Sequence, residues 1–81
     1  MSSRHEVAHA FGYVLRVTRH SAGLSQEELA FRADLDRTYP SLLERGRRTP
    51  TLDVLLRLGA GLNLEPARLV EMTEARIRNR V

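Results

Sequence analysis

Apolar residues recur along this chain at helical spacing, in five blocks separated by turn residues, and no stretch alternates as a strand would. Over residues 3–22, Val7, Phe11, Val14, Leu15 and Thr18 keep to one face, with Ser2 or Ser3 as cap and Gly23 as the stop. Gly12 within this block reads as a weakness costing up to ~1 kcal/mol against alanine. Residues 25–46 predict two short helices joined by a tight turn. Ser25 caps the first, Glu28 completes a capping box, and Leu24 and Leu29 can close as a hydrophobic staple. Leu29, Ala30 and Ala33 have buried spacing, and the helix stops near Asp34. Asp36 caps the second helix, Leu43 points inward, and Gly46 stands at the C′ position.

Thr51 caps a fourth helix running from Leu52 towards Gly61, with Asp53 well placed in its first turn. Leu52, Val54, Leu55, Leu56, Leu58, Ala60 and Leu62 wrap most of its circumference, which predicts burial on more than one side and a partner subunit as part of the cover. Gly59 and Gly61 weaken its end. Pro66 opens a last helix whose inner stripe is Leu69, Val70, Thr73 and Ile77; Glu74 and Arg78 can pair outside, and the Arg76, Arg78 and Arg80 tail frays. The expectation is an all-α, five-helix fold in one domain over 1–81, with a helix-turn-helix core at 25–46. A dimerisation region is expected at 52–81, through Leu55, Leu58, Leu62, Leu64, Leu69 and Met72.

Composition narrows the chemistry. The chain has 81 residues and no cysteine, so it offers neither a disulfide framework nor a thiolate metal site, which fits a reducing cytoplasm. No apolar run is long enough to span a bilayer, so no membrane partner is expected. All 13 basic residues are arginine, the side chain suited to bidentate phosphate or guanine contacts, although a net charge of +3 alone decides little. His5 and His9 at i, i+4 invite a metal site, but with no third ligand beside them they read as a solvated helix face. No metal or other cofactor is expected. Glu44 has no second carboxylate, nucleophile or glycine-rich loop beside it, so catalysis is set aside.

Three segments carry a resemblance. Gly23-Leu24-Ser25-Gln26-Glu27-Glu28-Leu29-Ala30, Leu35-Asp36-Arg37-Thr38-Tyr39 and Leu43-Glu44-Arg45-Gly46-Arg47-Arg48-Thr49-Pro50-Thr51-Leu52 together resemble the Cro/repressor-type (XRE-like) helix-turn-helix family. The resemblance covers about residues 11–70. It implies a lambda-repressor-like domain whose third helix enters the major groove of double-stranded DNA, usually as a homodimer. Small stand-alone members include phage repressors, restriction–modification controller proteins and antitoxins. It therefore implies a cytoplasmic regulator of bacterial or phage origin, on the nucleoid when bound.

Carried onto this sequence, the resemblance places Arg37, Thr38, Ser41 and Leu42 at base edges. It places Ser25, Gln26, Tyr39, Arg45, Arg47 and Arg48 at phosphates, and makes Arg19 and Glu44 a structural ion pair. Two positions depart from the family pattern. Asp34 stands where the turn usually has glycine, a conformation aspartate tolerates with some strain. Pro40 replaces a branched aliphatic and lacks a backbone donor. Either the third helix has a distorted first turn after Asp36, or it starts at Pro40 with Arg37, Thr38 and Tyr39 in a feeding loop. The expected function is a dimeric repressor reading a near-palindromic operator. The alternative is a protein-interaction module, or an antitoxin with a toxin partner, that keeps the fold without base-specific binding.

Overall fold

Helix α1, Arg4–Ser21, starts from a complete capping box. Ser3 Oγ accepts from Glu6 N–H, and Glu6 returns a bond to Ser3 N–H, each at 3.1 Å. The computed structural model describes residues 3–79, so the alternative cap Ser2 and the terminal Arg80 lie outside the described residues. Four more helices follow: α2 (Gln26–Arg32), α3 (Tyr39–Glu44), α4 (Leu52–Leu62) and α5 (Pro66–Arg78). Among the described residues there is no strand, and no helix is long and apolar enough to cross a membrane.

The chain leaves each of the first four helices by the same device. A residue with positive φ follows the helix, and the next amide reaches back five residues to a free carbonyl. Leu24 N–H bonds Arg19 O, Leu35 N–H bonds Ala30 O, Arg47 N–H bonds Leu42 O and Leu64 N–H bonds Gly59 O. Gly23 and Gly46 take the left-handed position at φ 72°, Asp34 at 56° and Asn63 at 57°. Asp34 therefore adopts the conformation expected of it, and Arg57 Nη1 braces the turn by donating to Asp34 O at 2.9 Å.

Phe11, Val14 and Leu15 from α1, Leu29 from α2, Leu43 from α3, Leu58 and Leu62 from α4 and Leu69 from α5 form one core. Leu24 joins it, so both halves of the expected staple are buried together. Each fully buried leucine contributes about 1.5–3 kcal/mol relative to exposure. This arrangement corrects the expected dimer surface: Leu58, Leu62 and Leu69 are interior to a single chain. They close the space between α2, α4 and α5, so a partner cannot reach them. Leu55, Leu64 and Met72 are half-buried against the same core. Val70, expected inside, is 44% exposed, whereas Leu52 (72%) and Leu56 (53%) leave the outer face of α4 uncovered.

The glycines also read differently in three dimensions. A Cβ on Gly12 would lie 2.6 Å from Leu43 O and 2.7 Å from Glu44 O, so glycine is what lets α1 cross the end of α3. A Cβ on Gly59 would meet Pro66 and the Leu64 carbonyl below 3 Å. Gly61 lies against Ala33 and Leu29. Each helix-weakening residue marks a close approach, which offsets its propensity cost.

Candidate nucleic-acid interface

Ser25 begins α2 with the bonds its sequence anticipates. Its Oγ accepts from Glu28 N–H at 3.0 Å, and its own N–H donates to Glu28 Oε1 at 2.8 Å. The Ser25 amide, then its hydroxyl, hold the Glu28 carboxyl below its ordinary range.

Behind this start lies a buried polar junction. Arg19 Nε donates to Glu44 Oε2 at 2.6 Å, Nη2 donates to Oε1 at 3.0 Å, and Nη1 donates to Leu24 O at 2.9 Å. Gln26 Nε2 adds a third donor to the same carboxylate at 3.1 Å. The Glu44 side chain is only 4% exposed, and a buried charge of this kind is tolerable because it is matched and fully hydrogen-bonded. The hydrogen bonds that Arg19 donates to Glu44 raise the Arg19 pKa against the opposing effect of burial. One carboxylate thus ties the end of α1, the start of α2 and the end of α3 together. Gln26, expected at a phosphate, spends one amide hydrogen on this junction.

Pro40 sets the entry to α3. An α-helical bond from residue 40 to Asp36 O is impossible without a backbone N–H, and the ring crowds that carbonyl. Instead Tyr39 N–H closes a tighter turn onto Asp36 O at 3.0 Å. The regular helix begins at Tyr39, with Thr38 as N-cap and Pro40 buried at the second position. The structure therefore resembles the later-starting alternative, one residue earlier than Pro40 itself. Asp36 does not cap α3; its Oδ1 accepts from Thr38 N–H at 2.9 Å and from Thr38 Oγ1 at 2.7 Å. The Thr38 hydroxyl, then its amide, lower the Asp36 pKa.

This turn carries Arg37 and Thr38, both exposed. Arg37 Nη1 rests 3.3 Å from Glu27 Oε2 on α2, with both side chains mostly in solvent. Such a pair is worth about 0–1 kcal/mol, so Arg37 is held loosely and remains free to bind elsewhere. Glu27 carries no signal in the sequence, because it meets Arg37 only through the tertiary fold. Ser41 and Leu42 are half-buried one turn on, and Tyr39 packs its ring against the core. Arg45 donates to Ser41 O at 3.4 Å, and Arg47 and Arg48 extend the exposed basic edge past Gly46. His5 and His9 lie at the far end of that edge, their ring centroids 4.4 Å apart.

A family model described as a helix-turn-helix domain matches residues 10–72. The control protein C.BamHI of Bacillus amyloliquefaciens is 42% identical over 64 residues, 78% of this chain and 79% of its own. Among solved structures, the restriction-modification controller protein C.AhdI of Aeromonas hydrophila superposes with a TM-score of 0.74 at 45% identity, covering 76% of this chain and 94% of its own. The wild-type restriction-modification controller protein C.Esp1396I superposes with a TM-score of 0.81 at 32% identity, over 90% and 96% of the two chains.

Proposed function

This chain belongs to the helix-turn-helix domain family, and on that footing we propose that it is a transcriptional regulator that binds operator DNA as a homodimer. It acts by recognition and carries out no catalysis. The observation that carries this reading is the exposed turn at Asp36–Thr38, presented on a brace of three helices locked by the Arg19–Glu44–Gln26 junction. Reading bases requires a short, exposed donor set on a rigid support, and this turn supplies one.

In this reading Arg37 makes the bidentate contact to guanine O6 and N7. The Thr38 hydroxyl has given its hydrogen to Asp36 and therefore accepts from a base amino group. Ser41 and Leu42 reach the groove floor one turn later. Ser25, Gln26, Arg45, Arg47 and Arg48 fix the register on phosphates, and the Tyr39 hydroxyl reaches the backbone from its packed ring. The dimer forms over the uncovered face of α4. Leu52, Leu55 and Leu56 share that face, and Leu55 also lines an apolar cleft with Val70, Phe11 and Ile77 that a second copy would fill. Recruiting Val70 and Leu52 replaces the interior leucines as the interface.

Selection of bound duplexes from a random library tests this reading. The expected product is a near-palindromic motif, and Arg37→Ala should relax one base in each half-site by about 1–3 kcal/mol of discrimination. No enrichment at low salt would leave a protein-interaction module as the better description.

A further inference from the structure

Asp36 stands at the head of the exposed turn, where its side chain is free of any capping duty toward α3. One oxygen, Oδ1, takes both polar hydrogens of Thr38: the backbone N–H at 2.9 Å and the hydroxyl at 2.7 Å. The Asp36 carbonyl, to which Pro40 can offer no N–H, accepts from Tyr39 N–H at 3.0 Å. Bonds to both ends of one residue therefore fix the turn from Asp36 to Tyr39. Asp36, Arg37 and Thr38 are all exposed, so core packing does not require a carboxylate here.

The pairing of Asp36 with Thr38 is directional. A hydroxyl has one hydrogen and two lone pairs, and an ionised carboxylate can only accept. With its hydrogen on Asp36, Thr38 has only lone pairs left to offer. Asp36 Oδ2 takes no hydrogen bond among the described residues and is a further acceptor beside them. Arg37, between the two in sequence, supplies donors only. In the major groove guanine presents N7 and O6 and thymine presents O4, all acceptors, whereas adenine N6 and cytosine N4 carry amino hydrogens. Protein acceptors match those amino groups and repel guanine O6 and thymine O4. An unrestrained threonine hydroxyl would make no such choice, since it rotates to donate or accept. A carboxylate beside a polyanion also opposes binding to every sequence alike, so general affinity does not account for Asp36. Discrimination between bases does.

We propose that Asp36 is a specificity-determining residue: by holding the hydroxyl hydrogen it makes Thr38 an obligate acceptor, which selects a base with an exocyclic amino group, adenine or cytosine, near the guanine read by Arg37. The inference rests on the DNA-binding reading and deepens it by assigning the chemical class of a second base. Asp36 acts through Thr38 and is a positioning residue in this scheme.

The test uses the duplex selected by the wild-type protein, with binding followed by fluorescence anisotropy. The base in question is the position that Thr38→Ala relaxes. Removing its amino group (deoxynebularine for adenine, deoxyzebularine for cytosine) should weaken wild-type binding about tenfold. Exchanging the amino group for a keto oxygen on the same ring type, adenine to guanine or cytosine to thymine with the opposite base changed to match, should weaken it at least as much. Asp36→Ala should reduce this second penalty to about twofold, because the freed hydroxyl turns to donate to the new oxygen. Asp36→Asn should retain it: Thr38 N–H still requires an acceptor, so Oδ1 stays in place and holds the hydroxyl too. With one negative charge fewer, Asp36→Asn should also bind every duplex more tightly. Preference for the Arg37 guanine should survive in both variants, whereas collapse of the turn would remove both preferences together.

The proposal is overturned if Thr38→Ala relaxes no position, if wild-type binding ignores the amino group, or if Asp36→Ala keeps the full keto penalty. Loss of the guanine preference in Asp36→Ala would overturn it as well, by reducing Asp36 to a structural role. If Asp36→Ala fails to fold by circular dichroism, the amino deletion and the Asp36→Asn comparison decide. A wild-type protein that selects no duplex at low salt would remove the DNA-binding reading and this proposal with it, a result distinct from a motif that ignores Asp36.

Discussion

Gly12→Ala separates helix propensity from tertiary geometry by the sign of its effect. In an isolated helix the substitution stabilises by up to about 1 kcal/mol. Here the new Cβ lies 2.6 Å from Leu43 O and 2.7 Å from Glu44 O, and ordinary contact begins at 3.4 Å. Relief requires α1 and α3 to separate by about 0.8 Å, because neither obstacle is a side chain that can rotate away. Overpacking of this kind costs about 1–3 kcal/mol, leaving a net loss of about 0–2 kcal/mol after the propensity gain. A domain of this size loses about 4–8 °C of Tm per kcal/mol. Moving Glu44 also disturbs its bonds to Arg19 and Gln26, so DNA affinity should fall with stability. The assay is a thermal melt at one fixed protein concentration, since dimerisation contributes to the midpoint. A raised Tm for Gly12→Ala would refute the close crossing of α1 and α3.

Arg19→Ala should cost about 3–5 kcal/mol in urea unfolding by leaving Glu44 buried without its main partner, and an apolar replacement of both residues should recover much of the loss. Glu28 has a lowered pKa, so its stabilisation is present above its unfolded value and lost as pH falls through its lower folded value. Wild type should therefore lose more stability than Glu28→Gln below pH 4.5, Glu28's ordinary value; parallel urea midpoints across that range would contradict the capping role. Leu52→Glu with Leu56→Glu should sediment as a folded monomer, whereas Leu58→Ala should lose about 2–5 kcal/mol as a core cavity; a double glutamate variant that remains dimeric would move the interface elsewhere.

Local signals account for what the sequence reveals. Ser25 with Glu28, Ser3 with Glu6, Thr51, and the residues after each helix act within a few positions of themselves, so capping and stopping can be read along the chain. What stays hidden depends on contacts between distant segments. Leu58 and Leu52 both look like apolar residues of one helix, and only the placement of α2 and α5 makes one interior and the other exposed. Gly12 looks like a flaw until the carbonyls of α3 are set beside it. The Glu27–Arg37 pair joins two unremarkable surface charges ten positions apart, and no periodicity predicts it. Pro40 falls between these cases: its missing donor is visible in the sequence, but the turn that replaces the lost bond needs Asp36 and Thr38 in place.

In the proposed complex two copies present their Arg37–Thr38 turns to DNA together. Hydroxyl-radical footprinting on a selected duplex tests it most directly. Two protected patches are expected on one face of the duplex, with centres about 34 Å apart, and weakened protection of both with Arg37→Ala. A single protected patch, or protection that follows no helical phase, would contradict it.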